Sequence, residues 1–95
     1  TMPKIKTYHF TNDPGHGWLH VKREELVRLG IADKISSYSY QRGGTVYLEE
    51  DCDATLFINT KWGLGERVVC TDRYVDRTPI RGYEPYQHEG EQANV

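Results

Sequence analysis

Ser36 to Leu56, SSYSYQRGGTVYLEEDCDATL, is the stretch from which the rest of the chain can be read. Gly43-Gly44 accepts the positive φ values that a two-residue primed turn demands, and the residues on both sides alternate with period two. Ile35 to Arg42 and Thr45 to Glu50 are therefore expected to be antiparallel partners. In that register Arg42 faces Thr45, Gln41 faces Val46, Tyr40 faces Tyr47, Ser39 faces Leu48 and Tyr38 faces Glu49. One side then carries Tyr38, Tyr40, Arg42, Thr45, Tyr47 and Glu49, and the other carries Ser37, Ser39, Gln41, Val46 and Leu48. A one-residue slip would break this partition, so the register is a strict expectation.

The two sides differ in kind. Val46 and Leu48, with small serines opposite, suit a face on which a helix lies close. The tyrosine side is expected to be half-wet, because a Tyr ring covers apolar surface while its hydroxyl stays in water. Two readings of that side stand together. A Tyr40–Tyr47 pair can stabilise the sheet by about 0.2–1 kcal/mol, or the face can be a contact surface for a partner.

Toward the N-terminus, Lys4 to Phe10 alternates and reads as a first strand, and Thr11 to Gly15 is a turn cluster. His16 to Val21 reads as a second strand, with Leu19 and Val21 on one face and His16, Trp18 and His20 on the other. Lys22 to Leu29 switches to helical spacing, with Leu26 and Leu29 inward and Arg23, Glu24, Glu25 and Arg28 solvated. Gly30 is placed to end this helix in the left-handed conformation, with Ile31 packing back on Leu26. Thr1 ahead of Met2 reads as a cloning remnant and is set aside.

Toward the C-terminus comes an acidic knot, Glu49-Glu50-Asp51-Cys52-Asp53. Carboxylates just before a helix stabilise its free N–H groups, so Asp51 or Asp53 is a candidate N-cap and Asp53 to Trp62 a second helix, stopped at Gly63. The knot lacks the glycine-containing spacing of a calcium loop, and no metal site is expected there. Arg67 to Val75 is β-rich, Ile80 to Tyr83 reads as a short edge piece, and the polar stretch 84–95 reads as a flexible tail behind a single domain over 1–83. Arg67, Arg73, Arg77 and Arg81 cluster here, but Glu66, Asp72 and Asp76 interleave and are expected to cancel most of their field.

At 95 residues with 37% hydrophobic and 27% charged residues, the chain suits one globular domain burying roughly 60–65% of its unfolded surface. A net charge of −2 favours neither nucleic acid nor membrane. No apolar run is long enough for a signal or spanning segment, which leads to the expectation of a cytoplasmic protein.

Catalytic patterns are weak. His16 and His20 would sit about 13 Å apart on an extended strand and cannot share a metal. Cys52 or Cys70 with a histidine base is conceivable, but no local motif supports it, and free cysteines are usually small hydrophobes. Neither a cofactor nor an enzyme activity is expected. Recognition remains: Trp18, Tyr38, Tyr40, Arg42 and Tyr47 are residue types that enrich interface centres, with Glu49, Glu50 and Asp51 adding charge specificity. The same aromatics could stack unpaired bases, although the acids beside them favour a protein partner with a basic patch.

The segment from Asp13 to Ile58, with its phrases GHGWL, LGI-x-x-KIS-x-YSYQ and YLEEDCD, resembles a group of small, functionally unassigned proteins encoded by bacterial phages and plasmids. The resemblance brings no catalytic residues. It implies a protein of a mobile genetic element in a bacterial host, of the kind that binds and blocks a host or phage protein complex, as an anti-defence or anti-CRISPR-like inhibitor does.

The expected fold is α+β, with order β-β-α-β-β-α-β, a single antiparallel sheet of four or five strands and two short helices on one face. The expected function is non-catalytic protein binding through the tyrosine face. A homodimer through that face, a single-stranded nucleic-acid binder and a small His/Cys enzyme are the alternatives.

Overall fold

A computed structural model of the protein describes residues 4–88. Its six strands are β1 (Lys4–Asn12), β2 (Gly17–Lys22), β3 (Tyr40–Arg42), β4 (Thr45–Glu49), β5 (Glu66–Tyr74) and β6 (Glu84–Pro85). They form one sheet in the order β5-β1-β2-β4-β3-β6. Two helices, α1 (Arg23–Arg28) and α2 (Asp53–Gly63), and two 3₁₀ turns, Ala32–Lys34 and Pro79–Gly82, complete the described residues.

The fold is α+β as expected, but the sheet corrects the expectation twice. It has six strands, and it is mixed: β1 and β5 run parallel through nine residue pairs, from Lys4↔Glu66 to Asn12↔Tyr74. The cause is the route of α2, which carries the chain from β4 past β2 and β1 to the outer side of β1. A helical crossover of this kind restores strand direction, so β5 runs parallel to its neighbour.

The hairpin pairs Tyr40↔Tyr47, Gln41↔Val46 and Arg42↔Thr45, in the expected register, with Gly43 at φ 59°. Its first strand starts at Tyr40 rather than Ile35. Asp53 is buried and needs donors, and it accepts hydrogen bonds from the Ser36 amide and from the hydroxyls of Ser36 and Ser39, at 3.1, 2.7 and 2.6 Å. Residues 36–39 therefore turn around that carboxylate, and the pairs Ser39–Leu48 and Tyr38–Glu49 do not form.

At the other end, the polar stretch from residue 84 begins inside the fold. Glu84 and Pro85 pair with Gln41 and Tyr40, and the buried Tyr86 hydroxyl donates to the Ala32 carbonyl. The edge piece expected at Ile80 to Tyr83 is a 3₁₀ turn whose Ile80 is buried. The rest of the expected tail, 89–95, lies outside the described residues.

Strand alternation separates two faces. Leu19, Val21, Val46 and Leu48 point to the helix side and are almost wholly buried with Leu26 of α1 and Phe57 of α2, each such side chain contributing about 1.5–3 kcal/mol. Tyr8 of β1 joins them, its ring edge-on to Phe57 at 5.3 Å. Phe10 lies over Gly17, where a Cβ would collide with its ring. Both helices cover this face, as expected.

Helix α1 ends as its sequence suggests. Gly30 has φ 74°, its N–H donates to the Val27 carbonyl, and the Ile31 N–H donates to the Leu26 carbonyl, both at 3.0 Å, which is the Schellman pattern.

Candidate functional site

The face opposite the helices carries Trp18, Tyr40, Tyr47, Glu49, Thr45 and Arg42, together with His20 of β2 and His9 of β1. The chain linking β5 to β6 passes over its upper end. There Arg81 lies above the Trp18 ring at 5.3 Å, and Tyr83 meets Tyr47 at 5.1 Å. Trp18 and Ile80 are buried at 3% exposure each, outside the main core. They anchor the crossover.

Beside the crossover lies a groove of about 520 Å³ bordered by His16, Tyr38, Tyr40, Asp51, Cys52 and Arg81, with Trp18 and Glu49 at its base. Its parts are rigidly held. Arg81 forms a paired contact with buried Asp13 (2.6 and 3.0 Å), and that guanidinium holds the Asp13 carboxyl well below the usual carboxylate range. Asp13 also accepts the Gly15 and His16 amides, both at 2.9 Å, fixing the turn between β1 and β2.

Glu49 is committed to the fold. Its carboxylate accepts the backbone N–H groups of Asp51, Cys52 and Asp53 at 2.9, 2.6 and 2.9 Å, capping α2 in place of Asp51 or Asp53. Burial works to raise this carboxyl, but the three amides outweigh it and keep it low. Asp53 reaches instead to Ser36 and Ser39, and the Asp51 carboxylate has no partner among the described residues.

Of the residues singled out by sequence, Trp18, Tyr38, Tyr40, Glu49 and Asp51 meet at this groove. Trp18 is its buried floor, Glu49 its capped base, and Tyr38 stands out from its rim at 81% exposure. Exposed Glu50 adjoins Asp51. Tyr47 and Arg42 lie further down the face, where Arg42 covers the Tyr83 ring at 5.1 Å. Tyr47 also meets His20 edge-on at 4.8 Å, and His20 lies 6.2 Å from His9. Burial, then the neighbouring His9, pushes the His20 imidazole down.

Sequence reasoning did not find Arg81, Tyr83 or His9 as parts of this face. Alternation along β1 placed His9 opposite Tyr8, but nothing in the chain said which face met the helices. Arg81 and Tyr83 reach the face through a crossover with no local signature.

A second feature was also missed. Lys61 of α2, at 1% exposure, lies 2.6 Å from Glu25, 2.7 Å from the Tyr8 hydroxyl and 2.9 Å from Glu66. Tyr8 donates to Glu25 at 2.9 Å, and Arg28 reaches both acids. Glu25, expected to be solvated, is buried. Burial pushes the Tyr8 phenol up to about 12. Burial opposes the ammonium of Lys61, but its hydrogen bonds to Glu25, Tyr8 and Glu66 hold it charged well above its ordinary value. The cluster ties α1, α2, β1 and β5 together through compensated buried charges.

Catalytic groupings are sparse. No cluster of three or more His, Cys, Asp or Glu suited to a metal is found among the described residues. Both cysteines are free and exposed. Cys52 and His16 border the same groove, but no hydrogen bond joins them among the described residues. No described helix is long and apolar enough to cross a membrane. Comparison of the chain with models of protein families, with curated proteins and with solved structures returned no match.

Proposed function

We propose that the protein is a non-catalytic binding module that docks on a protein partner through the groove between Tyr38, Tyr40 and Asp51. The observation that carries this reading is Tyr38, a tyrosine 81% exposed at the rim of a groove whose floor and walls are fixed by Trp18, Arg81 and the α2 cap. A large ring on a rigid support buries area at little entropic cost, as interface hot spots do. The free Asp51 carboxylate and its neighbour Glu50 favour a partner with a basic side chain. Within this proposal, the likeness to phage and plasmid proteins suggests an anti-defence inhibitor of a host protein complex as the setting.

A second reading, single-stranded nucleic-acid binding, has one observation in its favour. Arg73 and Arg42 share the open face with the aromatics, while Glu66 and Asp72 of β5 turn to the helix side.

Affinity capture from nuclease-treated host lysate tests the proposal. Wild type is expected to retain a stoichiometric protein that Tyr38→Ala releases, because a ring this exposed can be removed without unfolding the chain. Recovery of nucleic acid alone in untreated lysate, or capture indifferent to Tyr38, would overturn the protein-binding reading.

A further inference from the structure

The two central strands are joined over only part of their length. β1 pairs with β2 at Phe10↔Leu19, Thr11↔Trp18 and Asn12↔Gly17. Below those pairs, Lys4 to His9 pair with β5, and His20 to Lys22 pair with β4. The sheet parts here, and the parting holds a cleft of about 300 Å³, within the size range of small-ligand sites.

The chemistry of its walls is one-sided. Lys22, His9, His20, Thr7 and Tyr47 line it from the open face and Lys6 from the helix face, and no carboxylate is among its lining residues. Lys22 has no partner among the described residues. Lys6 alternates with Tyr8 to the helix side, where its ammonium lies 3.4 Å from the Glu25 carboxylate and 5.2 Å from the centre of the Tyr8 ring. His20 is fixed by a 2.9 Å hydrogen bond between its Nε2 and the Thr11 hydroxyl, with the Tyr47 ring edge-on at 4.8 Å.

The geometry points to a binding site for a small organic phosphate of nucleoside-monophosphate size in the cleft between β1 and β2. Lys22 holds the phosphate by charge-assisted hydrogen bonds, and the His20 and Tyr47 rings on the same face receive the planar base. This site is separate from the groove at Tyr38, so neither assignment depends on the other.

The probes are AMP, inorganic phosphate and adenosine, each titrated into the full chain by calorimetry and by NMR of the histidine rings. AMP is expected to bind saturably and to move the His9 and His20 ring signals. Lys22→Gln should weaken it by about tenfold or more, the loss expected for a charged hydrogen bond. Tyr38→Ala should leave it unchanged. The Lys22 side chain makes no polar contact among the described residues, so the Lys22→Gln variant is expected to fold. Adenosine binding as tightly as AMP would overturn the anion assignment, and phosphate binding as tightly as AMP would overturn the ring contact. No binding of AMP, or binding untouched by Lys22→Gln, would overturn the site.

Discussion

Lys61 shows what a single residue does to this fold. Its ammonium is removed from water but meets two carboxylates and a phenol, so the charge is compensated only while the cluster is whole. Lys61→Ala strips Glu25 and Tyr8 of their central donor and should destabilise the protein by about 3–5 kcal/mol, read as a lower urea midpoint. The pH dependence follows in sign. Lys61 and Arg28 hold Glu66 low, and for Glu25 the bonds from Lys61 and Tyr8 outweigh burial. Their contribution is present above pH 4.5, the ordinary value, and is lost as the pH falls through their folded values. The Tyr8 phenol gives the opposite limb: its contribution is present below pH 10 and is lost as the pH rises toward about 12. Urea midpoints across the pH range should fall at both ends; Lys61→Ala should flatten the acid limb, whereas the Tyr8 limb, set by burial and opposed by Lys61, should persist. None of this was legible locally. Glu25 sits among charged neighbours on a short helix, and its partner lies 36 residues away.

At the scale of elements, the hairpin was readable because its register is set by a two-residue turn and adjacent strands. Strand β5 was readable as a strand, but its place in the sheet was not, because its partner β1 lies at the far end of the chain and periodicity does not name a neighbour. The same strand also sorts its charges by face. Interleaved signs cancel along a helix or coil, but period two sends Glu66 and Asp72 to one face and Val69, Thr71 and Arg73 to the other. Glu49 was assigned to partner binding and proves to cap α2, since its side chain reaches three amides that a sequence pattern does not bring to it. Glu49→Ala should cost about 1–2 kcal/mol of stability, seen as a lower melting temperature. Gly17→Ala forces a Cβ into the Phe10 ring and should cost about 1–3 kcal/mol, measured by denaturant unfolding.

The molecule as a whole is a slab, with extents of 42 × 39 × 20 Å, thick enough for one helix layer on one sheet. One sheet face is therefore left to the crossover, the groove and the cleft. Among the described strand residues of that face, Glu49 is the one carboxylate, against Lys22, Arg42, Arg67 and Arg73. Pairing two such faces would oppose like charges. The exposed edge of β5 also resists self-pairing: a two-fold centred on Cys70 sets Arg67 against Arg73, and one centred on Val69 sets Glu66 against Asp72. Sedimentation should therefore show a monomer mass independent of concentration, in place of the homodimer that an aromatic face alone suggested.

The most direct measurement compares capture of a protein partner by wild type, Tyr38→Ala and Lys22→Gln under identical, nuclease-treated conditions. The account predicts that Tyr38→Ala loses the partner while Lys22→Gln keeps it, since the groove docks the protein and the cleft does not. Equal retention by all three would contradict the assignment of the groove as the docking surface.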